Sequence, residues 1–348
     1  MPDAASIAGW RGSAAMAACS RFAGVTAVAL GVFALVLLAA GKDPIAAYEN
    51  TFRHTLASAY GASELLVRMT PLLLAAVAVA LPARLGLINV GGEGQFYMGA
   101  FMASAAAFLT PQAPAWLLLP FVALAGFAGG ALWAAIPGFL RAARLVNETV
   151  ATLLLNYVAP LVVSYFVYGP WRTRENSAYP ESARFADAAL LPSFFGTRVH
   201  AGLLVALAAL AIYWVVIEKT RWGLEMRAIG GNPEAAQRLG VPVPAWIVAA
   251  LAIGGGFAGL AGMGEAMGIA GRLREGLSPG YGYTGFLIAW LAGGRPLGIL
   301  FMAFLFAIIT SAGDSLQISQ GVPYATVNIL LAATLFVVLA RRTSGMGK

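Results

Sequence analysis

Apolar residues in this chain gather into long runs at 22–41, 65–83, 86–109, 116–138, 148–168, 201–217, 245–268, 281–293, 297–313 and 324–340. A helix needs ~20 mostly apolar residues to cross the hydrocarbon core of a bilayer. The pattern therefore predicts an all-α, polytopic membrane protein with about ten transmembrane segments (range eight to ten). On this reading 22–340 is a single transmembrane domain between short tails at 1–21 and 341–348. The pair 281–293 and 297–313, parted by Gly293-Gly294-Arg295-Pro296, is either two short crossings or contains one re-entrant piece. Two polar interruptions stand out, at 169–200 and 218–244. The first carries Pro170, Pro180 and Pro192 and is too short to fold as a domain of its own.

The second interruption is strongly punctuated. Asn232 suits an N-cap, Pro233 the first helical position, and Gly240 the residue just past the last turn. These signals predict a short helix. Glu234 and Arg238 lie four apart in the favourable order, while Ala235, Ala236 and Leu239 fall towards the other side and form a small apolar face. So short a helix is unstable alone in water, so it is either an ordinary capped loop helix or one held by a partner.

Composition agrees with the membrane reading: 60% of the 348 residues are hydrophobic and 11% charged, against ~25% charged in soluble domains. The net charge of +7 is explained by basic residues on cytoplasmic loops rather than by nucleic acid. With the N-terminus inside, Arg84, Arg141, Arg144, Lys219, Arg221, Arg227, Arg238 and Arg295 all fall on short cytoplasmic segments. Both termini and the 218–244 loop are then cytoplasmic, and 169–200 is extracytoplasmic. The single cysteine, Cys19, excludes an internal disulfide and any cysteine metal cluster. The first apolar run lacks a cleavage signature, so no cleavable signal is expected.

Ionisable and amide groups at membrane depth are expensive, and broken helices survive there only when buried in protein or lining a cavity. Glu93 lies in Asn89-Val90-Gly91-Gly92-Glu93-Gly94-Gln95, and Glu265 lies in Gly262-Met263-Gly264-Glu265. Both segments are candidates to border a translocation path, together with Asn156. The alternative is a structural hydrogen-bonding role, with Arg68 or Arg272 as possible counter-ions. Tyr97 and Tyr283 could stack on a flat solute or serve as membrane-boundary anchors. The Asn147-Glu148 pair is explained by helix capping. A faint internal echo relates Gly94 and Gly99 to Gly280 and Gly285.

Other motifs carry less. Gly276-Leu277-Ser278-Pro279-Gly280 matches the nucleophile-elbow spacing, but with only His54 and His200 in the chain it reads as a turn. Gly254-Gly255-Gly256-Phe257-Ala258-Gly259 lies inside an apolar run, where Gly255 with Gly259 is a packing face, as are Gly126 with Gly130 and Gly264 with Gly268. No catalytic residue and no metal site is predicted. The chain has no P-loop, so any ATP and Mg must be bound by another polypeptide. A proton-coupled secondary transporter using Glu93 or Glu265 is the rival reading.

Three ordered stretches carry a likeness: Leu87 to Gln95, Asn147-Glu148-Thr149-Val150-Ala151-Thr152-Leu153-Leu154-Leu155-Asn156-Tyr157, and Arg227-Ala228-Ile229-Gly230-Gly231-Asn232-Pro233-Glu234-Ala235-Ala236. They resemble the permeases of bacterial ABC importers for branched-chain amino acids, simple sugars and nucleosides. Gly264-Glu265, Gly271-Arg272-Leu273 and Ser278-Pro279-Gly280-Tyr281-Gly282 are most similar to the nucleoside branch, which works with a basic-membrane-protein type lipoprotein. The resemblance covers about Leu65 to Leu339. It implies a bacterial inner-membrane importer of a nucleoside or simple sugar acting by alternating access. It also implies an ABC ATPase with two fused cassettes, a second and different permease chain, and an extracytoplasmic binding lipoprotein. Gly230, Asn232, Pro233, Glu234, Ala235, Ala236, Arg238, Leu239 and Gly240 would then form the coupling helix seated on the ATPase. Asn89, Glu93, Gln95, Tyr97, Asn156, Glu265 and Tyr283 would be its substrate pathway.

Overall fold

The computed structural model describes residues 41–174 and 179–321, with scattered positions between 31 and 39. The tail 1–21 with Cys19, most of the predicted span 22–41, the span 324–340 and the tail 341–348 lie outside the described residues. Within them the chain is all-helical and no strand occurs; the loop 169–200 contributes isolated bridges, such as Arg172 to Ser182. The helices are α1 (Pro44–Thr55), α2 (Ala59–Ala83), α3 (Gly92–Leu109), α4 (Ala115–Ala142), α5 (Glu148–Tyr168), α6 (Gly202–Lys219), α7 (Arg221–Gly231), α8 (Pro233–Arg238), α9 (Val243–Glu265), α10 (Tyr281–Leu291) and α11 (Pro296–Gln320).

Six helices among the described residues are long and apolar enough to cross a membrane: α2, α4, α5, α6, α9 with its continuation to Ala270, and α11. Two of the expected spans have a different form. The run at 86–109 turns helical only at Gly92, because Leu87–Gly91 is non-helical and Asn89 bonds within it. The run at 281–293 yields 11 helical residues, which at 1.5 Å per residue reach ~16 Å, about half the hydrocarbon thickness. Of the ambiguous pair, α11 has the length to cross and α10 is a half-helix.

The chain divides into two compact units, Ala62–Ala307 and a second made of residues 1–61 with 308–348. In the second, Leu37, Ala47 and Leu316 form a small buried cluster with Tyr48 and Ile309. The helix α1 was not anticipated. Asp43 caps it by accepting from the Ile45 N–H at 2.9 Å, and Pro44 opens it; its polar composition hides it from a search for apolar runs.

The larger unit is built on α9, which packs against α4 and α3 through glycines. A Cβ on Gly255 would lie 2.5 Å from the Gly130 carbonyl oxygen, and one on Gly259 would lie 2.2 Å from that of Gly126. Bare backbones therefore meet, as the small-residue spacing predicts. The third such pair is different: Gly264 and Gly268 face the His200 ring rather than another helix. The loop 169–200 folds over the end of α3, with Trp171 stacked on Phe101 at 4.9 Å and edge-on to Phe108 at 5.3 Å.

Candidate functional site

The non-helical segment 87–91 and the turn 276–280 bring the first turns of α3 and α10 together, N-terminus to N-terminus. A Cβ on Gly282 would lie 2.1 Å from the Glu93 nitrogen, so only glycine permits this approach. Each helix start exposes amide N–H groups without intrahelical acceptors, and inside a membrane these must find partners in protein. The predicted polar residues supply them. Asn89 Oδ1 accepts from the Gly91 N–H at 3.0 Å and Asn156 Oδ1 from the Gly94 N–H at 2.8 Å. Glu93 Oε2 accepts from the Gly282 N–H at 2.8 Å, which places a carboxylate at the positive end of α10. Ser278, the residue of the rejected nucleophile motif, caps the same helix by accepting from the Gly280 and Tyr281 N–H groups at 3.1 and 3.0 Å.

Further bonds make the junction rigid. Asn89 and Gln95 exchange reciprocal amide bonds at 3.1 and 3.0 Å. Asn156 Nδ2 donates to the Val90 carbonyl at 2.8 Å, and Thr152 Oγ1 accepts from the Val90 N–H at 3.3 Å. Asn147 caps α5 through the Thr149 and Val150 N–H groups, and Glu148 pairs with Arg141 at 2.9 Å. Thr152 was not singled out from the sequence, and Ser278 was noted only within a set-aside nucleophile motif and a family-like stretch; a hydroxyl three residues before a helix start is the local signal that could have given its capping role.

Asn89, Glu93, Gln95, Asn156 and Tyr283 thus converge, and Tyr97 joins them by accepting from the Ser278 N–H at 3.4 Å. The first four are buried and engaged in holding the two helix starts. Tyr283 is 38% exposed and hydrogen-bonded to Asn156, with Tyr157 in its electrostatic reach. Tyr157, 65% exposed, was not predicted as a pathway residue. It stands nine residues into α5, ~14 Å from the helix start and so near mid-membrane. A phenol facing hydrocarbon at that depth would lack a partner for its hydroxyl. The face bearing Tyr157 and Tyr283 is therefore one that meets polar matter or protein.

Glu265 does not join this group. It lies at the other end of α9, with Arg68 as its foremost electrostatic partner and Arg198, Arg274 and Glu64 beyond. Arg198 pairs with Glu64 at 3.1 Å, and Arg272 pairs with Glu181. Nearby His200 is 2% exposed, and its Nδ1 accepts from the Gly202 N–H at 3.1 Å. Burial, with Arg198 adding, pushes its pKa down to about 4. The unfolded chain, with an imidazole pKa of ~6.5, binds the proton first, so folding stability is full above that value and falls as pH drops towards about 4. His200→Asn should flatten this acid dependence, measured as the melting temperature of the detergent-solubilised protein between those pH values.

The 218–244 loop folds as predicted in outline. Asn232 Oδ1 accepts from the Ala235 N–H at 3.0 Å, α8 runs from Pro233 to Arg238, and Gly240 adopts φ +86°. The expected outward face needs correction. Ala236 is 2% exposed and faces the protein, whereas Ala235, Glu234 and Arg238 face outward and Leu239 is 82% exposed. α7 precedes α8 directly, with Asn232 at the join, and of the expected apolar face only Ala236 packs inward.

The comparisons with known proteins decide the class. Residues 61–339 match the family described as branched-chain amino acid transport system / permease component. The chain belongs to this family. It is 40% identical over 322 residues to a glucose ABC transporter permease of Haloferax volcanii, covering 89% of this chain and 84% of that one. It is 32% identical over 312 residues to a guanosine ABC transporter permease of Bacillus subtilis, covering 89% of each. Against a nucleoside ABC transporter permease of Lactococcus lactis the identity is 29% over 317 residues, covering 88% and 87%. The chain is a multi-pass ABC transporter permease, a transport subunit rather than an enzyme, and it works within a system that includes an ATPase and a substrate-binding partner.

Proposed function

We propose that this permease imports a nucleoside or a simple sugar across a bacterial inner membrane by alternating access. It has about ten transmembrane segments and cytoplasmic termini. ATP and Mg are bound by a separate ATPase with two fused cassettes. A second, different permease chain and an extracytoplasmic binding lipoprotein complete the assembly, and α8 with its outward Ala235, Arg238 and Leu239 is the coupling helix. The observation that carries this reading is the junction of α3 and α10, whose polar groups are spent on holding two helix starts while Tyr157 and Tyr283 remain open beside it. Relatives named for glucose, guanosine and nucleosides support a ring-bearing polar solute.

In this account Asn89, Glu93, Gln95 and Asn156 shape the path and the tyrosine rings touch the solute. Aromatic stacking on a base is worth ~1–3 kcal/mol by alanine substitution, so Tyr283→Ala should lower uptake by about tenfold or more. The experiment is ATP-dependent uptake of labelled guanosine and labelled glucose by proteoliposomes holding the full complex. Guanosine taken up in preference assigns the nucleoside class, and glucose in preference assigns the sugar class. Uptake that runs on a pH gradient without ATP would refute the reading.

A further inference from the structure

Arg84 ends α2 at the cytoplasmic side and meets three separate elements. Its Nε donates to the Tyr213 hydroxyl at 3.0 Å, and its Nη2 donates to the Gly294 carbonyl at 2.6 Å. Tyr213 on α6 donates to the same carbonyl at 2.7 Å, and the guanidinium lies 5.8 Å from the Tyr213 ring centre. Gly293 and Gly294 form the turn between α10 and α11, both with positive φ, +60° and +67°. The backbone of Arg84 is also a seat: a Cβ on Gly230, at the end of α7, would lie 2.4 Å from the Arg84 carbonyl oxygen. Arg227 fixes α7 by donating to the Ile217 carbonyl at 2.6 Å.

Both helices of the junction are rooted at this point. The chain leads from Arg84 through Leu85 and Gly86, φ +77°, into the segment that carries Asn89 and opens α3. The Gly294 turn ends α10, whose other end is held by Glu93. α7, against the same backbone, continues directly into α8 at Asn232. A planar guanidinium with several donors in a fixed fork can bridge two acceptors at once, which an ammonium does less well.

We propose that Arg84 is a positioning residue that transmits movement of the α7–α8 segment to the junction of α3 and α10, acting through Gly294 on one side and through its own backbone on the other. Displacing α7 displaces the Arg84 backbone, and the guanidinium carries the same displacement to the root of α10, so both halves of the junction respond together. This rests on the reading of α8 as the ATPase contact.

The test uses the assembled complex with its ATPase, carrying Cys19→Ser and Tyr283→Cys, and follows labelling of the new thiol by a water-soluble maleimide. Labelling rates without nucleotide and with ATP plus vanadate should differ by about fivefold or more in the parent. Arg84→Gln should abolish this difference while the ATPase still copurifies. Arg84→Lys and Tyr213→Phe, each keeping part of the bridge, should retain an intermediate response. A full nucleotide response in Arg84→Gln would overturn the assignment. Loss of ATPase copurification in the mild Tyr213→Phe variant would overturn it too, because the cluster would then be holding the fold alone. Uptake is measured separately on the complex that keeps Tyr283: if that complex takes up neither guanosine nor glucose while the thiol-bearing complex shows the labelling response, the solute class is refuted and the Arg84 assignment stands.

Discussion

Gly282→Ala should abolish transport while the chain remains inserted. The added Cβ would lie 2.1 Å from the Glu93 nitrogen, 2.4 Å from the Gly92 carbonyl carbon and 2.5 Å from the Glu93 Cα, all backbone atoms that cannot turn aside. Relief requires the starts of α3 and α10 to part by about 1 Å, and a displacement of that size at a working site costs ~100-fold in rate. Separation also stretches the bond from the Gly282 N–H to Glu93 and the packing around it, so a stability loss of ~1–3 kcal/mol is expected. Gly264→Ala makes the same chemical change in α9, where the nearest atom is the His200 Cε1 at 3.8 Å, and should transport within about twofold of the parent. Uptake per inserted molecule, with surface labelling to count inserted chains, separates the two. Near-normal uptake by Gly282→Ala would mean that the junction is loose and its glycine incidental.

What the sequence disclosed follows from which forces leave a local trace. Burial of backbone in lipid demands long apolar runs, so α2, α4, α5, α6, α9 and α11 were legible with ends close to those observed. Asn232, Pro233 and Gly240 announced α8 because capping acts between neighbours in the chain. The breaks before α3 and α10 were legible as glycine and polar interruptions, but their meeting was not. It depends on contacts between residues nearly two hundred positions apart, such as Gly92 with Gly282, and neither periodicity nor capping records such a pair. For the same reason Glu93 could be marked as expensive without revealing that a helix N-terminus compensates it. The bridge from Arg84 to Tyr213 and Gly294 left no trace beyond a Gly-Gly turn. Of the apolar face expected on α8, Ala235 and Leu239 are exposed and only Ala236 was misplaced, because charge placement on so short a helix decides little. Packing turns one small residue inward, and polar and apolar residues alike remain on the outside.

That rotation yields a sharp pair of variants. Leu239, 82% exposed, is a large apolar side chain on the turn that ends α8, beside Ala235 and Arg238, where water offers it nothing and an apolar groove of a partner would. Leu239→Asp places a charge at that contact without disturbing the chain's own packing. Losing one well-packed apolar anchor costs ~2 kcal/mol, equivalent to ~30-fold in affinity, and ATP-driven uptake should fall accordingly. The insertion level and melting temperature of the isolated permease should stay close to the parent. Ala236→Asp, one turn earlier, should behave in the opposite sense. Its carboxylate would enter a site that is 2% exposed, and an unpaired buried charge costs several kcal/mol, so the chain should fail to accumulate whether or not the ATPase is present. Pull-down of the ATPase from detergent extracts, normalised to folded permease, distinguishes the two losses. Full ATPase recovery with Leu239→Asp would place the coupling contact elsewhere on the permease, because no other large apolar side chain on α8 or its cap faces outward.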